Sequence, residues 1–429
     1  MSNRSLKVEL PYGNTVTSLN IPAANLAAIV RPREMHATTD PETLVRDALR
    51  MPIGAPSCAQ LLRNGERLLI VIDDMTRPTP ISLILPILLQ ELQVKRKRVH
   101  VTILVALGTH RKMTAEEIRV RVGDEVMSEC RVVNHEWDNE ETLLDLGMTP
   151  SGIPVKVNRL VMDADTCIGV GNIVPHNIAG WSGGGKIIIP GVSSKETTNS
   201  THLLAARAPS THLGRLANPV RIDIEEGASR TTLRYVVNTI LDHHGRLAHV
   251  VAGDPRSAHR EGVALARTIW EIPVPRLADI VVVSSYPADL DFWQANKGLY
   301  VAERLVKRGG DIVLLTPCPE GLSGQPEHVR TIEALAGVAS RELYHEAVRR
   351  GIRDFAALTV CDIAARCRDT AYVTVVSSGL TSEMARLFGF DHEPNIDAAV
   401  RKAFQRQGQD AKITIVTHGG EISPVLSEP

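Results

Sequence analysis

Aromatic side chains are scarce in this chain of 429 residues, where Phe, Trp and Tyr together make up 3%. The core must therefore be filled by Val, Ile, Leu and Ala, which suits buried strands covered by helices. The six cysteines form no C-x-x-C pair and no recurring spacing, so neither a disulfide framework nor a zinc or iron-sulfur site is expected. Charge of one sign is also missing: 48 basic side chains face 49 acidic ones, which removes the bulk field that nucleic acid or an anionic membrane surface would require. No uncharged apolar run approaches the roughly 18 residues of a membrane span, and Met1 to Leu10 lacks a signal-peptide core. A cytoplasmic location is expected, with neither nucleic acid nor membrane as partner.

What is present is a strand-turn-helix grammar in a chain too long for one ordinary core, which predicts two α/β domains. Arg67 to Ile72 is an apolar run ending in Asp73-Asp74, followed by a helical pattern from Ile81 to Leu92. His100 to Ala106 ends in Gly108-Thr109-His110 before a capped helix start at Thr114 to Glu117. A third run, Thr166 to Val170, leads into Gly171-Asn172. The second half repeats the pattern, with strands predicted at Ile280 to Ser284, Asp311 to Thr316, Tyr372 to Val376 and Lys412 to Val416. Helical patterns fall at Ala295 to Arg308, Thr331 to Leu335 and Ser382 to Leu387. Two prolines in Ile272-Pro273-Val274-Pro275, after a helix-like stretch from His259 to Trp270, place the domain break. The expected domains are 1–272 and 273–429, with the last residues packing back on the N-terminal one.

The densest chemistry lies in Pro175-His176-Asn177-Ile178-Ala179-Gly180-Trp181-Ser182-Gly183-Gly184-Gly185-Lys186, with His202 sixteen residues further on. A turning glycine run lets backbone N-H groups approach an anion, and the adjacent lysine can pair with it or react with a carbonyl-type carbon. Gly180 to Lys186 matches seven positions of a phosphate loop, but the eighth is Ile187, where magnesium requires Ser or Thr. Ile187-Ile188-Ile189 before Pro190-Gly191 reads instead as a short buried strand ending in a turn. Nucleotide hydrolysis is therefore the minor alternative.

Three further clusters stand at strand ends, where open α/β sheets place ligands. Asp73-Asp74-Met75-Thr76-Arg77-Pro78 offers carboxylates and a guanidinium on a proline-stiffened turn. The ordinary alternative is a surface turn with a local ion pair. His110 is placed as a base, with Arg111 and Lys112 expected to lower its pKa if they approach the ring. As one histidine among fifteen, it has a structural role as its simpler alternative. In Trp293-Gln294-Ala295-Asn296-Lys297-Gly298 the spacing of Gln294 and Lys297 puts an amide and a cation on one helix face. The alternative there is a solvated helix start with Trp293 in the core.

Taken together, DDMTRPTP at Asp73 to Pro80, GTHR at Gly108 to Arg111, PHNIAGWSGGGKIIIPG at Pro175 to Gly191, His202, NPVR at Asn218 to Arg221 and WQANKG at Trp293 to Gly298 resemble the nickel-dependent lactate racemase family. That family includes further 2-hydroxyacid racemases and epimerases, and the match runs along nearly the whole chain. The resemblance implies two Rossmann-like α/β domains with the active site in the cleft between them. It also implies a nickel pincer nucleotide, a pyridinium mononucleotide holding nickel through two sulfurs and a carbon.

By resemblance Lys186 anchors that cofactor, His202 is the nickel ligand, and Asp74, Gly183, Gly184 and Gly185 contact the nucleotide. His110 and His176 become the acid/base pair; Arg77, Gln294 and Lys297 hold a small 2-hydroxy acid, with Ile178 and Trp293 lining its pocket. Cofactor-making enzymes are implied partners, so the chain can exist unloaded, and a non-catalytic cofactor carrier is a third reading. The particular 2-hydroxy acid and the oligomeric state stay open.

Overall fold

The computed structural model describes residues 5–35, 39–208 and 210–427. They divide into two compact units, residues 34–269 and residues 1–33 together with 270–429. This differs from the expected 1–272 and 273–429 at the N-terminus. Leu26–Val30 pairs in parallel with Ile413–Val416, and Leu10, Leu19 and Ile21 of the opening hairpin pack with Ile280 and Ile413. The last strand, Ser423–Leu426, pairs with Glu271–Val274 in that same unit, not with the N-terminal domain. Both prolines of the expected linker thus lie at or beside a strand.

The sheet of unit 34–269 runs Leu247–Gly253, Leu233–Leu241, Thr166–Asn172, Arg67–Asp73, His100–Ala106, Arg131–Asn134, with only the Leu247–Gly253 edge antiparallel. Its central strand shows why the sequence folds this way. Leu68, Ile70 and Ile72 enter one core cluster, while Leu69 and Val71 enter another on the opposite face. A run apolar at every position must be covered on both sides, as parallel strands with crossover helices are. One such helix, Ile81–Glu91, buries Ile81, Ile84, Leu85 and Leu88 at helical spacing; each is worth about 1.5–3 kcal/mol of transfer free energy.

Strand order reverses between Arg67–Asp73 and Thr166–Asn172, because the chain moves outward through His100–Ala106 and Arg131–Asn134 before returning to the other side. Such a reversal splays the two following loops apart and opens a crevice at the carboxyl ends. The other unit has an all-parallel sheet ordered Asp391–His392, Tyr372–Val376, Val306–Leu315, Ala278–Ser284, Ile413–Val416, Leu26–Val30. Its reversal lies between Ala278–Ser284 and Ile413–Val416. The predicted helix Ala295 to Arg308 is shorter, Phe292–Glu303, since Arg308 belongs to the strand Val306–Leu315. No helix among the described residues is long and apolar enough to cross a membrane.

His135 follows the edge strand Arg131–Asn134 and joins it to the segment behind the lysine loop. It is fully buried; Nε2 donates to the Ser193 carbonyl at 2.9 Å, and Nδ1 accepts from Asn158 at 3.1 Å. Burial pushes its pKa from 6.5 down to about 4. The unfolded chain then takes up this proton first as the pH falls, so stability present above pH 6.5 is lost progressively down to about pH 4. His135→Gln should shrink the acid-induced loss over that window by about 3 kcal/mol, measured by urea unfolding at its two ends. An unchanged loss would show that the buried ring does not carry the effect.

Candidate active site

Asp74 lies one residue beyond the central strand, and burial alone would raise its pKa. The His110 ring outweighs that effect, helped by Arg77 and Thr76, and holds the carboxyl far below its ordinary value. The contact is 2.6 Å from Asp74 Oδ2 to His110 Nδ1, and Thr76 N donates to Oδ1 at 3.1 Å. An ionised carboxylate accepts only, so Nδ1 carries a proton, and the neutral tautomer this selects has its lone pair at Nε2. Asp74 therefore orients the His110 ring, one of the duties open to it besides cofactor contact. Arg111 pairs with Glu117 at 2.7 Å and Lys112 with Glu136 at 2.5 Å.

Arg121 is a residue the sequence did not flag. It lies on the helix Ala115–Val122 and pairs with buried Asp73, while also donating to the Arg77 carbonyl at 2.9 Å. The Asp73-to-Arg77 turn is thus held from beneath by a cation, and the signal available was only its helical placement. Arg77 is half-buried on that turn.

His176 has the opposite tautomer. Its Nδ1 accepts from the backbone of Ile178 at 3.2 Å and Ala179 at 3.3 Å, so the neutral ring carries its hydrogen on Nε2. The loop after Asn172 bends back through a short pairing of Pro175–His176 with Gly180–Trp181. Gly108 N, near His110, donates to the Gly191 carbonyl at 2.8 Å, which ties the His110 turn to the lysine segment. Asp74, His110 and His176 therefore issue from three adjacent strands.

Lys186 lies in a short 3-10 turn, Gly184–Ile187, and not at the start of an α-helix. The expected strand Ile187 to Ile189 is absent, since Ile188 and Ile189 donate back to the Gly185 carbonyl at 3.0 and 3.1 Å. Three apolar residues packed all round look alike in a buried turn and a buried strand. Ile187 fills the space above Gly169 and Ile189 that beside Gly227, so the eighth phosphate-loop position belongs to the core. Ile178 is likewise a core side chain, 6% exposed.

The glycine run is closely packed. A Cβ on Gly183 would meet Ile173 at 2.7 Å, on Gly184 the His259 ring at 2.9 Å, and on Gly185 Ala228 at 2.9 Å. These glycines are thus required by contact with the protein itself, whatever the loop holds.

His202 lies on the helix Lys195–Ala206, and its Nδ1 is 2.8 Å from the Thr198 carbonyl. That acceptor fixes the proton on Nδ1 and the lone pair on Nε2, the form in which imidazole binds a metal. Among the described residues no three His, Cys, Asp or Glu side chains gather to hold a metal ion. A metal beside His202 would have to arrive with its other ligands.

In the other unit, the helix Phe292–Glu303 begins on Asp291, which accepts from Gln294 N at 2.8 Å. Gln294 and Lys297 share its first turns at i, i+3 spacing, as expected. Trp293 packs against His328 with the rings tilted at 48° and centroids 4.5 Å apart, and His328 Nδ1 lies 2.6 Å from Asp354. Tyr286 and His418 meet edge to face at that unit's own strand reversal, a pairing brought about by topology without a local sequence signal.

The class that the fold and the site define is a doubly wound α/β protein with a histidine-carboxylate pair and a lysine-bearing glycine loop at one strand reversal. The family follows from comparison. Residues 12–214 match the lactate racemase N-terminal domain and residues 275–423 the lactate racemase C-terminal domain. The lactate racemase of Thermoanaerobacterium thermosaccharolyticum is 31% identical over 324 residues, covering 74% of this chain and 76% of that one. The lactate racemase of Lactiplantibacillus plantarum is 28% identical over 420 residues, covering 96% and 98%. The lactate racemase apoprotein structure from Thermoanaerobacterium thermosaccharolyticum superposes with a TM-score of 0.89 at 27% identity, over 99% of this chain and 100% of that one. A Thermotoga maritima protein shares the fold, with a TM-score of 0.73 at 20% identity over 92% and 100%. The chain belongs to the lactate racemase family.

The loop packing generates a test. Gly180 has φ +76°, and a Cβ there would lie 1.8 Å from the Arg215 carbonyl oxygen, whereas Gly152 has φ +81° and open space. Gly180→Ala should cost roughly 3 kcal/mol or more and Gly152→Ala about 1 kcal/mol, in paired denaturation curves. Equal losses would mean that backbone conformation alone, not the close approach, sets the cost.

Proposed function

We propose that this chain is a racemase or epimerase that inverts the alpha carbon of a small 2-hydroxy acid, using a nickel pincer nucleotide anchored on Lys186 with His202 as nickel ligand. The observation that carries the reading is the Asp74-His110 pair, set at the same strand reversal as the lysine loop. Family membership implies a nickel-containing cofactor, and the residues suit it: one imidazole poised to ligate through Nε2 and one lysine on a preformed glycine turn. When bound, the cofactor supplies reversible acceptance of hydride from the substrate's alpha carbon.

The protein's own part is to move the hydroxyl proton and hold the acid. His110 Nε2, made a lone pair by Asp74, removes the hydroxyl proton, and Asp74 offsets the charge that forms on the ring. Loss of hydride and proton leaves a planar keto acid, open on either face. For the opposite enantiomer the proton is handled by His176, which donates from Nε2 as the imidazolium and accepts there with its remaining hydrogen on Nδ1. Either duty puts a hydrogen on Nδ1, so the ring must first give up the Ile178 and Ala179 amides that Nδ1 accepts at rest. Arg77 and Lys297 neutralise the carboxylate and the developing alkoxide, and Gln294 orients the acid. Asp74, Gly183, Gly184 and Gly185 border the nucleotide, and Ile178 and Trp293 shape the space for the substrate's side chain. Enzymes that build the cofactor are the partners this reading requires, in the cytoplasm.

Neither alternative gains support. A nucleotide hydrolase needs a helix start at the lysine, which is absent, and a cofactor carrier has no use for His110 aligned by Asp74.

Co-production with cofactor-making enzymes should place a nickel-bearing adduct on the Lys186 peptide, read by mass spectrometry; an unmodified peptide and no nickel would remove the cofactor assignment. In a chiral assay over lactate, malate, longer aliphatic, aromatic and sugar acids, His110→Ala and His176→Ala should each abolish interconversion. Asp74→Asn should lower kcat roughly a thousandfold with far less change in KM, because it leaves His110 in the wrong tautomer. Full activity in Asp74→Asn would refute the dyad.

A further inference from the structure

The NPVR segment has no task in the chemistry above, yet it meets the glycine loop from below. Asn218 accepts from Arg221 N at 2.9 Å, which caps the helix Pro219–Ser229, and Asn218 Nδ2 donates to the Arg215 carbonyl at 2.8 Å. The Arg221 side chain is 2% exposed. Its guanidinium donates from Nε to the Ala179 carbonyl at 3.3 Å, from one terminal nitrogen to Gly183 at 3.2 Å, and from the other to Trp181. His259, also buried, donates from Nε2 to the Ser182 carbonyl between them at 2.8 Å. Four carbonyls of the loop therefore point at two buried donors. In a trans peptide the N-H points the opposite way: Ser182 N-H and Gly184 N-H, on the far side of the Trp181 and Gly183 carbonyls, donate to the Val174 carbonyl and Asn238 at 2.9 Å each, and Gly183 N-H lies on the far side of the carbonyl held by His259.

No carboxylate among the described residues forms an ion pair with Arg221, and Glu225, which acts on its charge, is itself paired with Arg256 at 2.8 Å. Burial draws the guanidinium's pKa down to about 10, which leaves it charged at neutral pH. His259 is held neutral by burial and by the Arg221 charge, so it adds a donor without a second cation. A buried charge paired only with carbonyl dipoles is costly unless an anion lies within reach.

We propose that Arg221 is the positioning residue of the cofactor seat: it orients the loop through the Ala179, Trp181 and Gly183 carbonyls, and its charge favours the phosphate of the mononucleotide bound on the far side. This rests on reading the glycine run as the nucleotide's seat. The test compares binding of nicotinate mononucleotide and of nicotinate riboside, which lacks the phosphate, to the cofactor-free full chain by calorimetry. Wild type should favour the mononucleotide roughly tenfold or more, as a charge acting through a low-dielectric interior would. Arg221→Gln, which keeps donors but not charge, should bring that ratio near one, while Arg221→Lys should keep most of it even if both ligands weaken. Mere loosening of the loop would weaken both ligands alike and leave the ratio intact. An unchanged ratio in Arg221→Gln overturns the role of the arginine alone. If Gln at this position prevents folding, a ratio near one in Arg221→Lys overturns it. Failure of wild type to bind either compound, or to prefer the phosphate, removes the loop as nucleotide seat and the proposal with it.

Discussion

A carboxylate buried at the end of a parallel strand must find a partner, and most of the site's arrangement follows from how two adjacent ones do so. Asp73 takes the Arg121 cation from below, and Asp74 takes the His110 imidazole from the next strand. The first pairing fixes the turn that carries Arg77; the second decides which nitrogen of His110 bears a proton. Asp73 and Ala106 pair at the ends of their strands, so sheet register brings the turn carrying His110 to Asp74. Each buried carboxylate keeps a donor of its own, which is how two acidic residues persist in so apolar a setting.

Much of this was legible beforehand. Continuous apolar runs gave the central strands because a strand covered on both faces leaves no polar alternation to misread, and Thr114 with Glu117 forms the capping box that the spacing indicated. The polar clusters were expected at strand ends, and Asp74, His110 and His176 do follow three adjacent strands. Three features resisted. Ile187 to Ile189 is equally apolar as turn or strand, and only the return hydrogen bonds to Gly185 separate them. The N-terminal residues join the sheet of Ala278–Ser284 through Leu26–Val30, a pairing across nearly the whole chain length that local periodicity cannot carry. Arg121 and Arg221 act through contacts distant in sequence, so their residue type and helical position gave no hint of the turns they hold.

The tautomers of His110 and His176 show how one residue type serves unlike ends. A carboxylate beside Nδ1 makes Nε2 an acceptor; backbone amides beside Nδ1 make Nε2 a donor. The distinction comes from the second nitrogen's neighbour, and it is invisible in a motif that records only a histidine. Sequence resemblance therefore locates such residues, while their resting hydrogen pattern is a property of the folded chain.

The glycines of the lysine loop have their missing side-chain positions already filled by Ile173, His259 and Ala228. A backbone wedged in this way has no hollow into which it can relax, and its conformational entropy has been given up at folding, before any cofactor arrives. Any adjustment in this segment must fall on the surrounding side chains, so its tolerance to mutation is limited by the packing of the folded chain itself.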